Sequence, residues 1–215
     1  MLPKRAGHCF LYIIIITITG LGANAFGKES HNHKNSFFDM HMSESVSVTD
    51  YSCRERYLQS LSEWITQDII SKASQCEQEK LRHMLELIAA AENSDSFFDS
   101  PVNFGRFLIA LAETMLISAS HRDHDDFESQ LVIPSSLLIT RDSLMMIHTT
   151  IRDPEWKTVF DKEIKIIETK SMELAKNTLK NFPEQGRAHG QMAFVLLMTG
   201  GDKKKCCACM KAVSI

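Results

Sequence analysis

The chain has 215 residues and a formal net charge of −3 at pH 7, from 24 Lys and Arg against 27 Asp and Glu. A charge this close to zero implies neither a nucleic-acid partner nor an acidic lipid surface. Six cysteines are too sparse for a small disulfide scaffold, and the length suits one large domain or two small ones.

Residues 1–25 have the three parts of a secretory signal peptide. The start is positive at Lys4-Arg5, an apolar run follows over Phe10–Leu21, and Ala23-Asn24-Ala25 is a small-x-small cleavage pattern. The apolar run is too short to cross a bilayer comfortably, although an uncleaved anchor is the alternative. No later run approaches spanning length, so we expect a mature protein of the secretory pathway with no membrane span.

Residues 26–50 are polar and predicted to be flexible. The stretch from Tyr51 to Ala91 contains no Gly or Pro, and its apolar residues recur three or four apart. This spacing predicts one long amphipathic helix, or two helices joined without a breaker. A narrow apolar stripe is typical of a coiled-coil seam, so four residues are predicted to form a dimerisation face: Leu58, Leu61, Ile65 and Ile69.

A second helix is predicted from Phe97 to Leu116, folded back on the first across a short loop. Ser100 is the expected N-cap, and Pro101 takes the first helical position, where its missing N–H costs nothing. The apolar side of this helix comprises Phe104, Phe107, Leu108, Leu111 and Met115. Residues 51–120 are therefore predicted to form a helical dimerisation region.

Residues 121–134 are predicted to be a loop, and the rest of the chain to be helical. One helix starts near Ser136 or Arg141 and ends at Asp153-Pro154, because the residue before a proline disfavours helical backbone. Three further helices are predicted over residues 155–181, 187–198 and 202–213. No strand pattern follows the signal peptide, so the predicted fold is all-α: a long coiled-coil-like helical hairpin followed by a tetratricopeptide-like region.

The C-terminal part, residues 135–215, carries the pattern of a degenerate tetratricopeptide repeat. With Pro183 as the closing proline of one repeat, three residues fall on small or turn positions of the next: Ala193, Gly200 and Ala212. Ser171 fits a small position of the preceding repeat, whereas Lys205 and Leu196 depart from the pattern. We therefore predict an incomplete peptide-binding region.

Residues that often carry chemistry are scattered along the chain. His121-x-Asp123 has the spacing of an iron-ligand pair, but it falls in a predicted loop with no sheet to hold it. His31-x-His33 lies in the flexible segment, and His148 on an apolar helix face is more typical of a core or interface histidine. No phosphate loop, nucleophile elbow or carboxylate pair occurs, so we predict no catalytic, cofactor-binding or metal site.

Five cysteines remain after the predicted cleavage, which leaves at least one without an intramolecular disulfide partner. Cys206 and Cys209 have C-x-x-C spacing, but no second pair at zinc spacing accompanies them. On one continuous helix Cys53 and Cys76 would lie about 35 Å apart, too far for a bond within one chain. An antiparallel pair of chains is one arrangement that would join them, and two unrelated thiols is the other interpretation.

The order of these parts resembles the N-terminal half of the collagen prolyl 4-hydroxylase α subunits. The resemblance rests on the signal peptide, the Phe-rich start SFFDMHMSES, a long helix, and the helix start Pro101-Val102-Asn103 followed by Phe104 or Phe107. It continues with Pro134 and Asp142-Ser143-Leu144, a loose match to the family's Pro-x-x-x-Asp-Leu helix, and with the repeat pattern.

The resemblance implies a homodimer of the endoplasmic reticulum lumen, with protein disulfide isomerase as the β subunit. It also implies binding of proline-rich or collagen-like peptide, which the family binds on tyrosines of its repeat domain. No Tyr follows Tyr57 here, so the candidate peptide-binding residues are Phe194, the nearby aromatic residue, and His189.

The parent activity is that of a procollagen-proline 4-dioxygenase, which uses iron(II), 2-oxoglutarate, O₂ and ascorbate. The family's oxygenase domain, with its His-x-Asp…His iron site and 2-oxoglutarate lysine, has no match in this sequence. We therefore expect no hydroxylation by this chain alone.

Two other functions fit the residues. A secreted helical-bundle ligand of cytokine type is permitted by continuous amphipathic helices and few cysteines. A lumenal tetratricopeptide adaptor that binds a client peptide, without enzymatic ancestry, fits the repeat pattern. Export as a monomer would favour the first, and peptide binding without self-association would favour the second.

Overall fold

The structure is a computed structural model that describes residues 51–121, 127–201 and 209. The predicted signal peptide and flexible segment lie outside the described residues, as does most of the predicted helix over 202–213. In the described residues all regular structure is helical, which confirms the all-α prediction. The chain divides into two compact units, Met1–Ala110 and Leu111–Ile215.

The first unit opens with two helices rather than one. Helix α1 covers Tyr51–Trp64, a π-helical segment follows over Ile65–Ile69, and helix α2 covers Gln75–Glu92. The alternative of two helices joined without a breaker is therefore confirmed. The break is marked by Ser74 and Glu77: the Glu77 carboxylate accepts hydrogen bonds from the Ser74 backbone N–H at 2.8 Å and its hydroxyl at 2.6 Å. Ser-x-x-Glu is the sequence pattern of a helix start.

Helices α1 and α2 form an antiparallel hairpin within one chain. Arg54, near the start of α1, donates from Nη2 to the Ala91 carbonyl at 3.4 Å and to Asp95 Oδ1 at 3.3 Å. These partners lie at and just beyond the last turn of α2. The chain therefore already reverses at residues 70–74, before the loop at residues 93–96 where the sequence predicted the fold-back.

Helix α3 covers Pro101–Ser120 and contains the boundary between the two units. The Asn103 N–H donates to Ser100 Oγ at 3.3 Å, which confirms the predicted N-cap and the position of Pro101. All five predicted apolar residues of this helix are buried, from Phe104 to Met115. Before the cap, a 3-10 turn over Phe97–Asp99 places Phe98 edge-on to Phe104 and Phe107, with ring centroids 5.6 and 5.2 Å away.

By length and composition, α3 is apolar enough to cross a membrane, with a mean hydropathy of 1.3 over its apolar window. The prediction that no run after the signal peptide approaches spanning length was therefore wrong. Within the chain, 61% of that window is buried, and the core helix of a protein outside the membrane has the same composition.

The second unit contains three long helices after α3. They are α4 over Phe127–Thr150, α5 over Pro154–Asn181 and α6 over Gly186–Met198. The predicted boundaries of α5 and α6 are confirmed to within one residue. Asp153 Oδ1 accepts from the Glu155 N–H at 2.9 Å, so Asp153-Pro154 forms the cap and first residue of α5.

Helix α4 begins earlier than predicted. The predicted loop over 121–134 was wrong for residues 127–134, and no helix starts at Ser136 or Arg141, because Pro134 lies inside α4. Proline interrupts a helix by removing one N–H and crowding the carbonyl four residues before it. The structure retains the proline because neighbouring helices supply donors to the freed carbonyl of Gln130, as described below.

Cross-helix contacts give the directions of these helices. Ser171 reaches Pro134 and Thr178 reaches Gln130, so α5 runs antiparallel to α4. On α6, Gln191 reaches Gln130 and Met198 accepts from Arg141, so α6 runs parallel to α4. The three helices enclose a small apolar core of Leu138, Ala175, Met192, Val195 and Leu196.

Candidate self-association and peptide-binding faces

The four residues of the predicted dimerisation face are buried inside the single chain. Leu58, Leu61 and Ile65 are fully buried, and Ile69 is 3% exposed. The apolar stripe that the sequence assigned to a second copy is therefore covered within the single chain, in which α1 contacts α2 through Arg54 and Ala91. A second copy can meet these residues only if the hairpin opens.

The segment that joins α1 and α2 has an unusual helical geometry. Its π-helical turn is closed by a 3.0 Å hydrogen bond from the Ile70 N–H to the Ile65 carbonyl, and the Lys72 N–H then bonds the Ile69 carbonyl at 3.0 Å. Ser74 has an extended backbone, with φ −62° and ψ 164°. Residues 70–74 contain neither Gly nor Pro.

Two polar side chains are buried in the hairpin. The Arg54 side chain is 6% exposed, and its Asp95 partner is 79% exposed, so the ion pair lies at the surface end of a buried guanidinium. Burial raises the pKa of the Tyr57 hydroxyl far above its ordinary value, because the phenolate would lose its hydration. Tyr57 therefore remains a neutral member of this core.

In the second unit, side chains from α5 and α6 satisfy carbonyls around the proline of α4. The Gln130 carbonyl, which Pro134 deprives of its helical donor, accepts from Thr178 Oγ1 at 3.0 Å and from Gln191 Nε2 at 3.2 Å. Gln191 Nε2 also bonds the Leu131 carbonyl, and Ser171 Oγ donates to the Pro134 carbonyl at 2.7 Å. These contacts fix the register of both neighbours against α4.

A buried arginine joins the far end of the same helices. Arg141 donates to Asp142 at 2.6 Å and to the Met198 carbonyl at 3.1 Å, and its Nη1 lies 3.5 Å from Glu168. The Met198 carbonyl belongs to the last turn of α6, and a left-handed residue, Gly200 with φ 67°, follows the end of this helix. The Gly201 N–H returns to the Leu196 carbonyl at 2.7 Å, which completes the cap.

The opposite end is held by an exposed clamp. Arg187 donates to both carboxylate oxygens of Glu128, at 2.5 and 2.6 Å, and lies 5.4 Å from the centroid of the Phe127 ring. Phe127 in turn meets Phe182 edge-on at 4.8 Å. The starts of α4 and α6 and the end of α5 are therefore joined at one place.

The repeat positions are partly brought together. Ser171 is fully buried and Ala193 is 2% exposed, as small packing positions require, and Gly200 occupies the predicted turn. Helix α5 runs unbroken over Pro154–Asn181, so the preceding repeat has no turn between two helices. Ala212 and Lys205 lie outside the described residues. Cys209 is helical and packs on the small apolar core.

The two candidate peptide-binding residues do not lie on one face. His189 and Phe194 are five residues apart, about 140° around the helix axis. His189 Nε2 lies 2.8 Å from the carbonyl of Pro183, a residue of the connection between α5 and α6. The imidazole ring therefore already has a hydrogen-bonding partner within the chain. Phe194 is half-buried beside the small apolar core.

A better-defined stripe on α6 contains Phe194 and two residues that the sequence did not single out. Leu197 is 70% exposed, the highest value among the exposed large hydrophobic residues of the described chain. Gly190, Phe194 and Leu197 are spaced by four and three, so they share one face of the helix, here called the α6 stripe. The spacing alone could have identified it, because Leu197 lies three residues after the predicted Phe194.

Helix α4 offers a matching stripe. Between Leu131 and Leu144 all its residues are buried except four at intervals of three and four, here called the α4 stripe: Val132, Ser135, Ile139 and Asp142. Pro134 and Arg141, which contact α5, lie about 130° around the helix from the centre of the α4 stripe. Phe194 of the α6 stripe packs on the small core, whereas Leu197 is exposed. Helices α4 and α6 are parallel and in contact, and each carries one such stripe.

Among the described residues, no group of three or more His, Cys, Asp or Glu side chains is placed to hold a metal ion. His148 Nε2 lies 3.4 Å from Asp161 Oδ1, which joins α4 to α5. Asp123 of the His121-x-Asp123 pair lies outside the described part of the chain.

Comparison with known proteins found no match to this chain. No protein-family model, no curated protein and no solved structure matches it.

Proposed function

We propose that this protein is a helical binding module of the secretory pathway, similar to the N-terminal half of a prolyl 4-hydroxylase α subunit. In this proposal the hairpin unit serves self-association, and the α4–α6 unit binds an extended proline-rich or collagen-like peptide. The second activity is the one to which the geometry contributes most. The chain acts by binding, and the proposal assigns it no hydroxylase activity of its own.

The observation that carries the proposal is the parallel arrangement of α4 and α6 with α5 antiparallel behind them. Stacked helical repeats present their binding surface on such alternate helices. The α4 and α6 stripes supply apolar groups, Val132, Ile139, Phe194 and Leu197, and the hydroxyl of Ser135, while the Asp142 carboxylate accepts from Arg141. Proline-rich peptides bind grooves in which an aromatic ring meets the polyproline helix.

The contacts that hold α6 against α4 favour peptide binding at the α4 and α6 stripes. The Gln191 and Arg141 contacts hold α6 against α4 at two levels, and the Arg187–Glu128 clamp holds a third. A preformed face loses little conformational entropy when a peptide binds. The peptide itself is already extended in the polyproline conformation, so both partners are ordered before they meet.

The test is binding of a fluorescent (Pro-Pro-Gly)₁₀ peptide to the mature chain, measured by anisotropy. Phe194→Ala is expected to weaken binding by at least about tenfold, because buried aromatic anchors dominate such interfaces. Leu197→Ala is expected to weaken it less. Val159→Ala is the matched control, because Val159 is an exposed apolar residue of α5, 41% exposed, on a different helix.

Two results would contradict the peptide proposal. One is equal affinity of the wild-type and Phe194→Ala chains, with circular dichroism showing both to be folded. The other is absence of binding to (Pro-Pro-Gly)₁₀ and to polyproline at millimolar peptide. Either result would leave the fold unchanged and remove the assigned ligand.

Lumenal location and a complex with protein disulfide isomerase form the remaining part of the proposal. Both rest on the resemblance rather than on a contact in the described residues. Affinity purification of the tagged chain from microsomes, followed by immunoblotting for the isomerase, tests the partner. Recovery of the chain only from the culture medium, without the isomerase, would contradict both.

One observation favours a second candidate, the secreted helical-bundle ligand. The apolar stripe of α1 is satisfied within the chain, as it is in a bundle that acts as a monomer. A mature chain that is exported, remains monomeric and binds no proline-rich peptide would favour this candidate. The non-enzymatic adaptor differs from the first proposal in ancestry and in the absence of self-association, so peptide binding by a strictly monomeric chain would favour it.

A further inference from the structure

We propose that two copies of this chain associate by exchanging helix α1 between their hairpins. In the exchanged dimer, residues 70–74 become helical, α1 and α2 merge into one long helix, and α1 of each copy packs on α2 of the other. The inference rests on the self-association part of the proposed function and specifies how it occurs. The occupant of each opened hairpin is a second copy of this chain.

The connection between the helices is the first argument. Turns between helices commonly contain Gly or Pro, but the sequence of residues 70–74 is Ile-Ser-Lys-Ala-Ser. Lys and Ala are good helix formers, and Ile and Ser are tolerated. Ile70 already has helical backbone, with φ −61° and ψ −31°. The same residues can therefore continue the helix instead of reversing it.

The contacts of the hairpin supply the second argument. Exchange recreates between two copies the contacts that α1 and α2 make within one, including that of Arg54 with Ala91 and Asp95. The buried stripe from Leu58 to Ile69 then meets the partner's α2 instead of its own. No new complementarity is needed, and this is what makes helix exchange a low-cost route to dimers.

Topology is the third argument. Helix α1 is the first helix that the structure describes, so its exchange does not require the helices after α2 to be threaded through another chain. In the exchanged dimer Cys53 of one copy would not meet Cys76 of the other. Arg54 pairs with Ala91, which lies 15 residues beyond Cys76, or about 22 Å along the helix.

The capping contact of Ser74 and Glu77 determines the balance between the two forms. It exists only where a new helix starts at Gln75, so it stabilises the closed hairpin and is lost in the continuous helix. Ser74→Ala removes this cap and improves helix propensity at the same position. The dimer dissociation constant is expected to fall by about 30-fold, or about 2 kcal/mol at 1.4 kcal/mol per tenfold, because two chains lose one cap each.

A proline at position 75 tests the opposite direction. Gln75 is exposed and is the first residue of α2, where proline is accepted, and Ser74 already has the extended backbone that precedes a proline. Gln75→Pro therefore keeps the hairpin and prevents a continuous helix. Gln75→Ala is the matched control at the same site.

The experiment is sedimentation equilibrium of the mature chain and its variants. A dimer that tightens in Ser74→Ala, persists in Gln75→Ala and disappears in Gln75→Pro supports exchange. A Gln75→Pro dimer as tight as the wild type overturns exchange and leaves self-association standing. Monomers throughout, Ser74→Ala included, overturn both exchange and the self-association part of the proposed function, whereas peptide binding is measured separately.

A second variant covers the case in which Gln75→Pro does not fold. Ser71→Gly with Lys72→Gly changes two exposed residues of the connection and makes the continuous helix less favourable without altering the cap. We expect the dimer to weaken by at least about tenfold. An unchanged dissociation constant in a chain with wild-type circular dichroism would overturn helix exchange.

Discussion

Helix α1 buries an apolar stripe in the first unit, whereas α4, α5 and α6 of the second unit are joined by directed polar contacts. In the hairpin the side chain of Arg54 reaches the backbone of the facing helix at Ala91. In the three-helix unit Ser171, Thr178, Gln191 and Arg141 each reach a specific carbonyl on another helix.

The difference matters because the two kinds of contact specify partners differently. Apolar burial is non-directional and is satisfied equally well by an identical helix from another chain. A buried carbonyl without its donor is costly, so side-chain-to-backbone hydrogen bonds select one register and one neighbour. We therefore expect the hairpin to be exchangeable and the α4–α6 unit to be permanent. Four measurements test this difference between the two units.

The largest effect is expected from a core truncation in the hairpin. Leu61→Ala removes a fully buried side chain and should lower the free energy of unfolding by about 3 kcal/mol, since it leaves a cavity as well as losing apolar burial. Urea denaturation measures this. Gln59→Ala, at an exposed position of the same helix, should change it by less than about 0.5 kcal/mol. A loss below 1 kcal/mol in Leu61→Ala would be inconsistent with an apolar hairpin core.

The next effect tests the polar contacts of the second unit. Gln191→Leu keeps the side-chain volume but removes the donor to the Gln130 and Leu131 carbonyls, so we expect a loss of about 2 kcal/mol. Pro134→Ala restores a backbone N–H to the Gln130 carbonyl. In that background the loss from Gln191→Leu should shrink by about 1 kcal/mol, which a double-mutant cycle detects. Strict additivity would mean that Gln191 does not compensate for the proline.

A smaller effect concerns alkaline pH. Burial raises the folded pKa of Tyr57, while the unfolded value is about 10. Above pH 10 the unfolded chain loses a proton that the folded chain keeps, so the stability present below pH 10 is lost as pH rises. At pH 11 the loss attributable to Tyr57 is about 1.4 kcal/mol.

The control is Tyr57→Phe, which should lack this part of the alkaline destabilisation. Urea denaturation of both chains between pH 8 and pH 11 provides the comparison, since other titrating groups contribute equally to each. Parallel pH profiles of the two chains would show that Tyr57 is not buried as described.

The smallest effect tests the start of α3, the helix that contains the boundary between the units. Ser100→Ala removes the acceptor of the Asn103 N–H and should cost about 1 kcal/mol in thermal or urea unfolding. Ser100→Thr should recover most of it, because threonine supplies the same oxygen. Ser96→Ala, at an exposed position before the Phe97–Asp99 turn, is the control. Equal stability of all three variants would show that the Ser100 side chain does not stabilise the start of α3.

The sequence predicted the parts of this fold that depend on local chemistry. The capped start at Ser100-Pro101, the limits of α5 and α6 and the turn at Gly200 all follow from residues within a few positions of the boundary. The reversal at residues 70–74 also has a local mark, Ser74 with Glu77, but the helical periodicity on both sides of it is equally compatible with one continuous helix.

Pro134 shows why the rest was not predictable. Its own neighbourhood indicates a helix boundary, and only donors from Thr178 and Gln191, on two other helices, allow α4 to continue through it. For the candidate site, Phe194 was identified and Leu197 was missed. His189 was assigned to the same surface, although its ring is engaged by the Pro183 carbonyl.

The helical character of this protein and most of its helix limits follow from the amino-acid sequence alone, because caps, prolines and apolar spacing act within one or two turns. Which helices pack against each other depends on the tertiary structure. The apolar stripe of helix α1 must be buried, but its sequence does not specify which surface buries it, because the hydrophobic effect is non-directional. The stripe comprises Leu58, Leu61, Ile65 and Ile69. The chain folds α2 onto that stripe, and α4 keeps its proline because distant hydroxyl and amide groups reach the carbonyl that the proline leaves free.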